Sequence, residues 1–126
     1  MDLGEFYPCL NVRDLEASIQ FYETIGFRLI EDGLAENWAV LQHNNMAVAL
    51  YQGHIRENLI NFRGGDIREI GEALADKGIE FSMPPTEHDD GSWNAEIRDP
   101  DGNAIFFNTF PAERARYMRD GKLIDY

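Results

Sequence analysis

A single cysteine, Cys9, is the chain's whole supply of thiol, which excludes an internal disulfide and a cysteine cluster for zinc. Basic residues are also scarce. Eleven Lys and Arg stand against 23 Asp and Glu, for a formal net charge of −12. Such a charge opposes binding to nucleic acid phosphates and to anionic membranes, and is compatible with a cationic ligand or with simple solubility. No apolar run approaches the roughly 20 residues that span a bilayer. The N-terminal Met1-Asp2-Leu3-Gly4-Glu5 lacks the basic-then-apolar order of a signal peptide, so a cytoplasmic location is expected. Low-complexity and linker segments are missing too. With 126 residues, 44% of them hydrophobic and 12% aromatic, the chain reads as one domain, or two half-domains sharing a core.

What is present is a pattern that occurs twice. Asp14 and Gly26 are twelve positions apart, as are Asp66 and Gly78, and the two copies are offset by 52 residues. In the first copy, an apolar run over 6–12 reads as a strand and Asp14 as the N-cap of a helix. Leu15, Ile19, Tyr22 and Ile25 recur on one helical face, and Gly26 ends the helix. Strands follow over 27–30, 38–41 and 46–51, the last two joined by the turn His43-Asn44-Asn45. The second copy repeats the order: a strand over 59–63, a capping box from Asp66 and Glu69, and an apolar stripe of Ile67, Ile70 and Leu74. Gly78 stops that helix, and a strand from Ile79 is expected to close at Pro84-Pro85. Strands over 93–98 and 104–110 flank the turn Asp99-Pro100-Asp101-Gly102-Asn103. Pro111 then opens a short terminal helix stopped by Gly121, whose Arg114, Arg116 and Arg119 read as a solvated face.

The expected fold class is therefore α+β, two βαβββ modules followed by a C-terminal helix. Module one spans about 4–53, module two about 57–110 and the helix about 111–120. Two such sheets side by side would enclose a cup, the natural place for a ligand.

Three stretches make this pattern resemble the vicinal oxygen chelate superfamily, which includes glyoxalase I, extradiol dioxygenases, and fosfomycin and bleomycin resistance proteins. They are Val12-x-Asp14-Leu15-x-x-Ser18-x-x-Phe21-Tyr22 with Gly26-Phe27, the helix from Asp66 with Leu74 and Gly78, and Asp99-Pro100-Asp101-Gly102-Asn103-Ala104-Ile105. The resemblance implies a cup-shaped mixed sheet and, in most members, a divalent metal held by His, Glu or Gln from the first and fourth strands of each module. Carried over residue by residue, those positions fall on Tyr7, Ala49, Leu59 and Phe106. Leu, Ala and Phe offer no lone pair, and a one-residue slip would turn the side chain to the opposite face. The expectation is that the usual metal site is absent and that no cofactor is bound.

The cup would then be lined by Tyr7, Trp38, Ala49, Tyr51, Leu59, Trp93 and Phe106, with Asn61 and Asn108 as polar points. The alternative is a collapsed core in which Leu59 and Phe106 meet. His43, His54 and His88 fall in loops and read as surface histidines, metal-binding only if loops bring them together. Cys9 reads as a small buried thiol. By resemblance the expected function is metal-independent binding of a small organic molecule, aromatic or cationic, as in antibiotic or xenobiotic sequestration. Bleomycin resistance proteins, commonly homodimers, are the nearest analogy. The alternative function is a lyase, isomerase or dioxygenase with a displaced metal site or metal-free chemistry, in which Tyr7 would be the acid or base.

Overall fold

A computed structural model describes residues 1–126. The chain divides into two compact units, one of residues 7–59 with 124–126, the other of residues 1–6 with 60–123.

In the first unit the order is β2 (Cys9–Asn11), α1 (Leu15–Thr24), β3 (Arg28–Gly33), β4 (Trp38–His43) and β5 (Met46–Tyr51). The strands form one sheet in the order β2-β5-β4-β3. β2 runs parallel to β5 and the other neighbours are antiparallel. Asp14 caps α1, its carboxylate accepting from the Ala17 amide at 3.1 Å. That arrangement satisfies a first-turn donor that the helix itself leaves open. Leu15 and Ile19 of α1 pack on Ala39, Leu41, Val48 and Leu50. Asn44, at φ 50°, opens the hairpin between β4 and β5, a left-handed position that Asn tolerates.

The second unit repeats this topology with β6 (Ile60–Gly64), α2 (Ile67–Asp76), β7 (Phe81–Glu87), β8 (Trp93–Arg98) and β9 (Ala104–Thr109). Its sheet is ordered β1-β6-β9-β8-β7, with β6 parallel to β9 and with β1 (Gly4–Phe6) added antiparallel at the β6 edge. Asp66 caps α2 by accepting from the Glu69 amide at 3.2 Å. Ile67 and Ile70 pack on Ala95 and Phe107. α3 (Pro111–Asp120) follows β9 and packs against β6.

Two local expectations need correction. The apolar run over 6–12 is not one strand: β1 ends at Phe6 and β2 begins at Cys9, with Tyr7-Pro8 between them. Pro8 has no N–H to give a ladder, and the two pieces pair with different sheets. Pro84-Pro85 does not close a strand either. β7 runs through both prolines because it is an edge strand whose register to β8 shifts between Met83 and Thr86. Gly71 of α2 explains how closely helix and strand approach there, since a Cβ would lie 2.4 Å from Pro85 Cγ.

Candidate functional site

Side chains alternate across a strand, so each sheet has one face against its helix and one face away from it. In the second unit, Phe62, Ala95, Ile97, Ile105 and Phe107 belong to the core under α2. The residues between them point the other way: Asn61 and Arg63 on β6, Asn94 and Glu96 on β8, Phe106 and Asn108 on β9. Register makes these a patch. Asn61 pairs with Phe106, Arg63 with Asn108, Asn94 with Asn108, and Glu96 with Phe106.

The chemistry of that patch is unusual for a buried surface. The side-chain oxygens of Asn61, Asn94 and Asn108 are buried without a hydrogen-bond partner, and Asn61 as a whole is only 2% exposed. Buried polar atoms are nearly always paired, because an unmade hydrogen bond costs about 1–3 kcal/mol. Three such oxygens on one sheet face, beside the buried Arg63 guanidinium, therefore form a set of acceptors that no donor meets. Charge on the patch is balanced. Arg63 makes a 2.5 Å ion pair with Glu113 of α3, and the Glu96 carboxylate pairs with Arg98 at 3.5 Å and accepts from Ser82 Oγ at 2.7 Å.

The corresponding face of the first unit differs. Val40, Ala47 and Ala49 are fully buried and apolar, and Cys9 is buried beside them. Gln42 is the polar residue among them. Its Nε2 donates to the carbonyls of Asn44 (2.8 Å) and Asp125, while its Oε1 accepts from Arg28 at 3.3 Å. Tyr51 shares this face with Ala49, and Trp38 pairs across from Tyr51 and covers Gly33, where a Cβ would clash with the indole at 2.0 Å. Tyr7 is 3% exposed.

The positions singled out from the sequence thus divide by unit. Tyr7, Trp38, Ala49, Tyr51 and Leu59 belong to the first, and Asn61, Trp93, Phe106 and Asn108 to the second. Leu59 does not start β6: it bridges to Cys9, each amide donating to the other's carbonyl at 3.0 and 2.8 Å. Asn61, Phe106 and Asn108 come together on one face. Trp93 does not join them, because its register with Ala95 and Ile97 turns it toward α2, where the Arg68 guanidinium lies 5.3 Å from its ring centroid. Asn94 and Glu96 were missed by the sequence reading. The signal for them is the alternation in Trp93-Asn94-Ala95-Glu96-Ile97, whose apolar members mark the core side.

The residues at the four metal-ligand positions do not fit a divalent cation. Ala49, Leu59 and Phe106 have no donor atom, and no group of three or more His, Cys, Asp or Glu side chains gathers anywhere in the structure. His43 rests against Phe27, and His54 holds the Glu36 carbonyl at 2.6 Å. His88 is exposed. Arg114 departs from the solvated face expected of α3, its guanidinium donating to the Gly64 carbonyl at 3.0 Å.

Paired βαβββ units with parallel first and last strands define a class of small α+β proteins, and the sequence places the chain within it. Residues 6–107 match the model of the Glyoxalase/Bleomycin resistance protein/Dioxygenase superfamily, and the chain belongs to that family. Solved structures share the fold at low identity. A superfamily member from Vibrio splendidus is 17% identical, with TM-score 0.63 over 83% of this chain and 97% of that one. Methylmalonyl-CoA epimerase from Streptomyces coelicolor is 20% identical, with TM-score 0.65 over 88% and 97%. A Legionella pneumophila structure described as an NAD-dependent benzaldehyde dehydrogenase is 18% identical, with TM-score 0.69 over 83% and 98%. No curated protein matches the sequence.

Proposed function

We propose that this chain is a metal-independent binder of a small organic molecule, acting by sequestration, with the away-from-helix face of the second sheet as its recognition surface. The observation that carries this reading is the set of unpartnered carboxamide oxygens on Asn61, Asn94 and Asn108. An acceptor without a donor is satisfied by a ligand that brings N–H or O–H groups. The net charge of −12 favours a cationic one. Phe106 adds an aromatic surface, so the ligand class is a cationic or amide-bearing aromatic compound, antibiotics and other xenobiotics among them. The donor-poor residues at Ala49, Leu59 and Phe106 support binding without a metal. The bleomycin resistance type is the closest functional analogy in the family, and a homodimer is proposed with it.

The test is elemental analysis of untagged protein together with thermal-shift titrations, since a ligand that binds only the folded state raises apparent stability. The reading predicts no stoichiometric metal, no shift with Ni²⁺, Mn²⁺, Fe²⁺ or Zn²⁺, and a concentration-dependent shift with bleomycin or another cationic aromatic compound in chelator. A stoichiometric metal with a matching shift overturns it.

A further inference from the structure

Trp93 leads to a second site, independent of the reading above. The cleft it borders lies within the second unit, between the start of α2, the start of β8 and the outer side of α3, and encloses about 430 Å³. That is within the range of small-molecule pockets, roughly 300–1,000 Å³. Its apolar wall is the Trp93 indole with Phe110, Pro111 and Met118, and its polar groups are led by two guanidiniums, those of Arg68 and Arg114. Phe110 and Met118 remain 41% and 70% exposed, large for apolar residues.

The charges are disposed for an anion. Arg68 stacks on the indole and takes part in no ion pair. A guanidinium held over a ring keeps its in-plane N–H donors available at the ring's edge. Arg114 gives one N–H to the Gly64 carbonyl, and a guanidinium has five to give. The one carboxylate on the wall, Asp66, is engaged as the cap of α2. On the wall of this cleft two arginines face one aspartate, and Arg114 also interacts with the Asp2 carboxylate outside it.

We propose that this cleft binds a small aromatic carboxylate, the ring lying against Trp93 and the apolar side of α3, the carboxylate taken by Arg68 and Arg114. The paired requirement follows from the residues: either guanidinium alone would accept any anion, and the indole wall alone any aromatic body, but together they select a molecule carrying both.

The probe is naphthoate, with naphthamide as its uncharged counterpart, titrated calorimetrically against the whole chain while the Trp93 indole N–H resonance is followed by NMR. Naphthoate is expected to bind with 1:1 stoichiometry and to move that resonance, with naphthamide at least about tenfold weaker, the scale of one lost charge-assisted hydrogen bond. Arg68→Gln and Arg114→Gln should each weaken naphthoate by a similar factor without affecting naphthamide. Arg68 is exposed, so its variant keeps the test valid even if Arg114→Gln, which loses the bond to Gly64, fails to fold. Asn108→Leu should leave naphthoate binding unchanged, which separates this cleft from the sheet face of the proposed function. Equal affinity for naphthoate and naphthamide, an unmoved Trp93 resonance, or no binding at millimolar concentration would overturn the proposal.

Discussion

The same topology is built twice in this chain, and the two sheets treat their helix-free faces in opposite ways. In the first unit that face is sealed with Val40, Ala47 and Ala49, and its buried polar residue, Gln42, has every group satisfied. In the second it carries three carboxamide oxygens that no protein donor meets. Strand order, parallel first and last strands and an Asp-capped helix are common to both. The shared fold therefore does not decide the chemistry of that face. The residues at alternate strand positions do, and the second unit is the one that leaves buried carboxamide oxygens without a partner.

The comparison can be broken most forcefully through the cores. Phe107→Ala in the second unit should cost about 3–5 kcal/mol and Leu41→Ala in the first about 2–5 kcal/mol, since both side chains are buried against their helices. Urea unfolding followed by two probes, Trp38 fluorescence for the first unit and Trp93 for the second, checks whether each loss is confined to its own unit. A sharper contrast comes from the polar residues. Gln42→Leu should destabilise by about 1–2 kcal/mol, because it strands two carbonyls that Nε2 now satisfies. Asn61→Leu should cost nothing in the unliganded protein, or stabilise it slightly, because the oxygen it removes has no partner to lose. Equal losses in the two variants, read from denaturation midpoints, would erase the distinction between the faces.

Smaller effects should be symmetric. Asp14→Ala and Asp66→Ala each remove one N-cap bond and should cost about 1 kcal/mol, measurable by thermal denaturation. The least effect is a pH dependence in the second unit. Tyr117, pushed up to about 12 by burial and by its bond to Asp2, favours its protonated form in the folded state. Stability from that bond is present below the ordinary tyrosine value and declines as pH rises from about 10 toward 12. The Gly4 amide and the Tyr117 hydroxyl hold the Asp2 carboxyl below its usual value, so its contribution is lost as pH falls below that value. Tyr117→Phe should flatten the alkaline limb of a stability profile.

Much of this architecture is legible in the sequence because the signals are local. Asp14 and Asp66 mark helix starts, Gly26 and Gly78 mark the ends, and the Asp99–Asn103 turn closes on itself through Asp99, which accepts from Asn103 Nδ2 at 2.8 Å. What the sequence left open depends on partners far along the chain. Pro84-Pro85 reads as a strand end until β7 is known to be an edge. Residues 4–6 read as part of the first module until β1 is seen beside β6. Trp93 attracts a ligand-binding reading by its size, but its face is set by register with Ala95 and Ile97, and Asn94, a smaller residue, takes the position beside Asn108. Whether an Asn is satisfied is a property of its surroundings, so the unpartnered oxygens have no signature in the sequence at all.

The most direct test of the central claim is calorimetric titration, in excess chelator, of a cationic aromatic ligand found by thermal shift, comparing the wild type with the Asn61→Leu/Asn108→Leu pair. The account predicts that the wild type binds without metal and that the paired variant, folded and no less stable, loses at least about tenfold in affinity, the scale of one hydrogen bond to a charged donor. Unchanged affinity in the folded variant, or binding that vanishes in chelator and returns with a divalent cation, would contradict it.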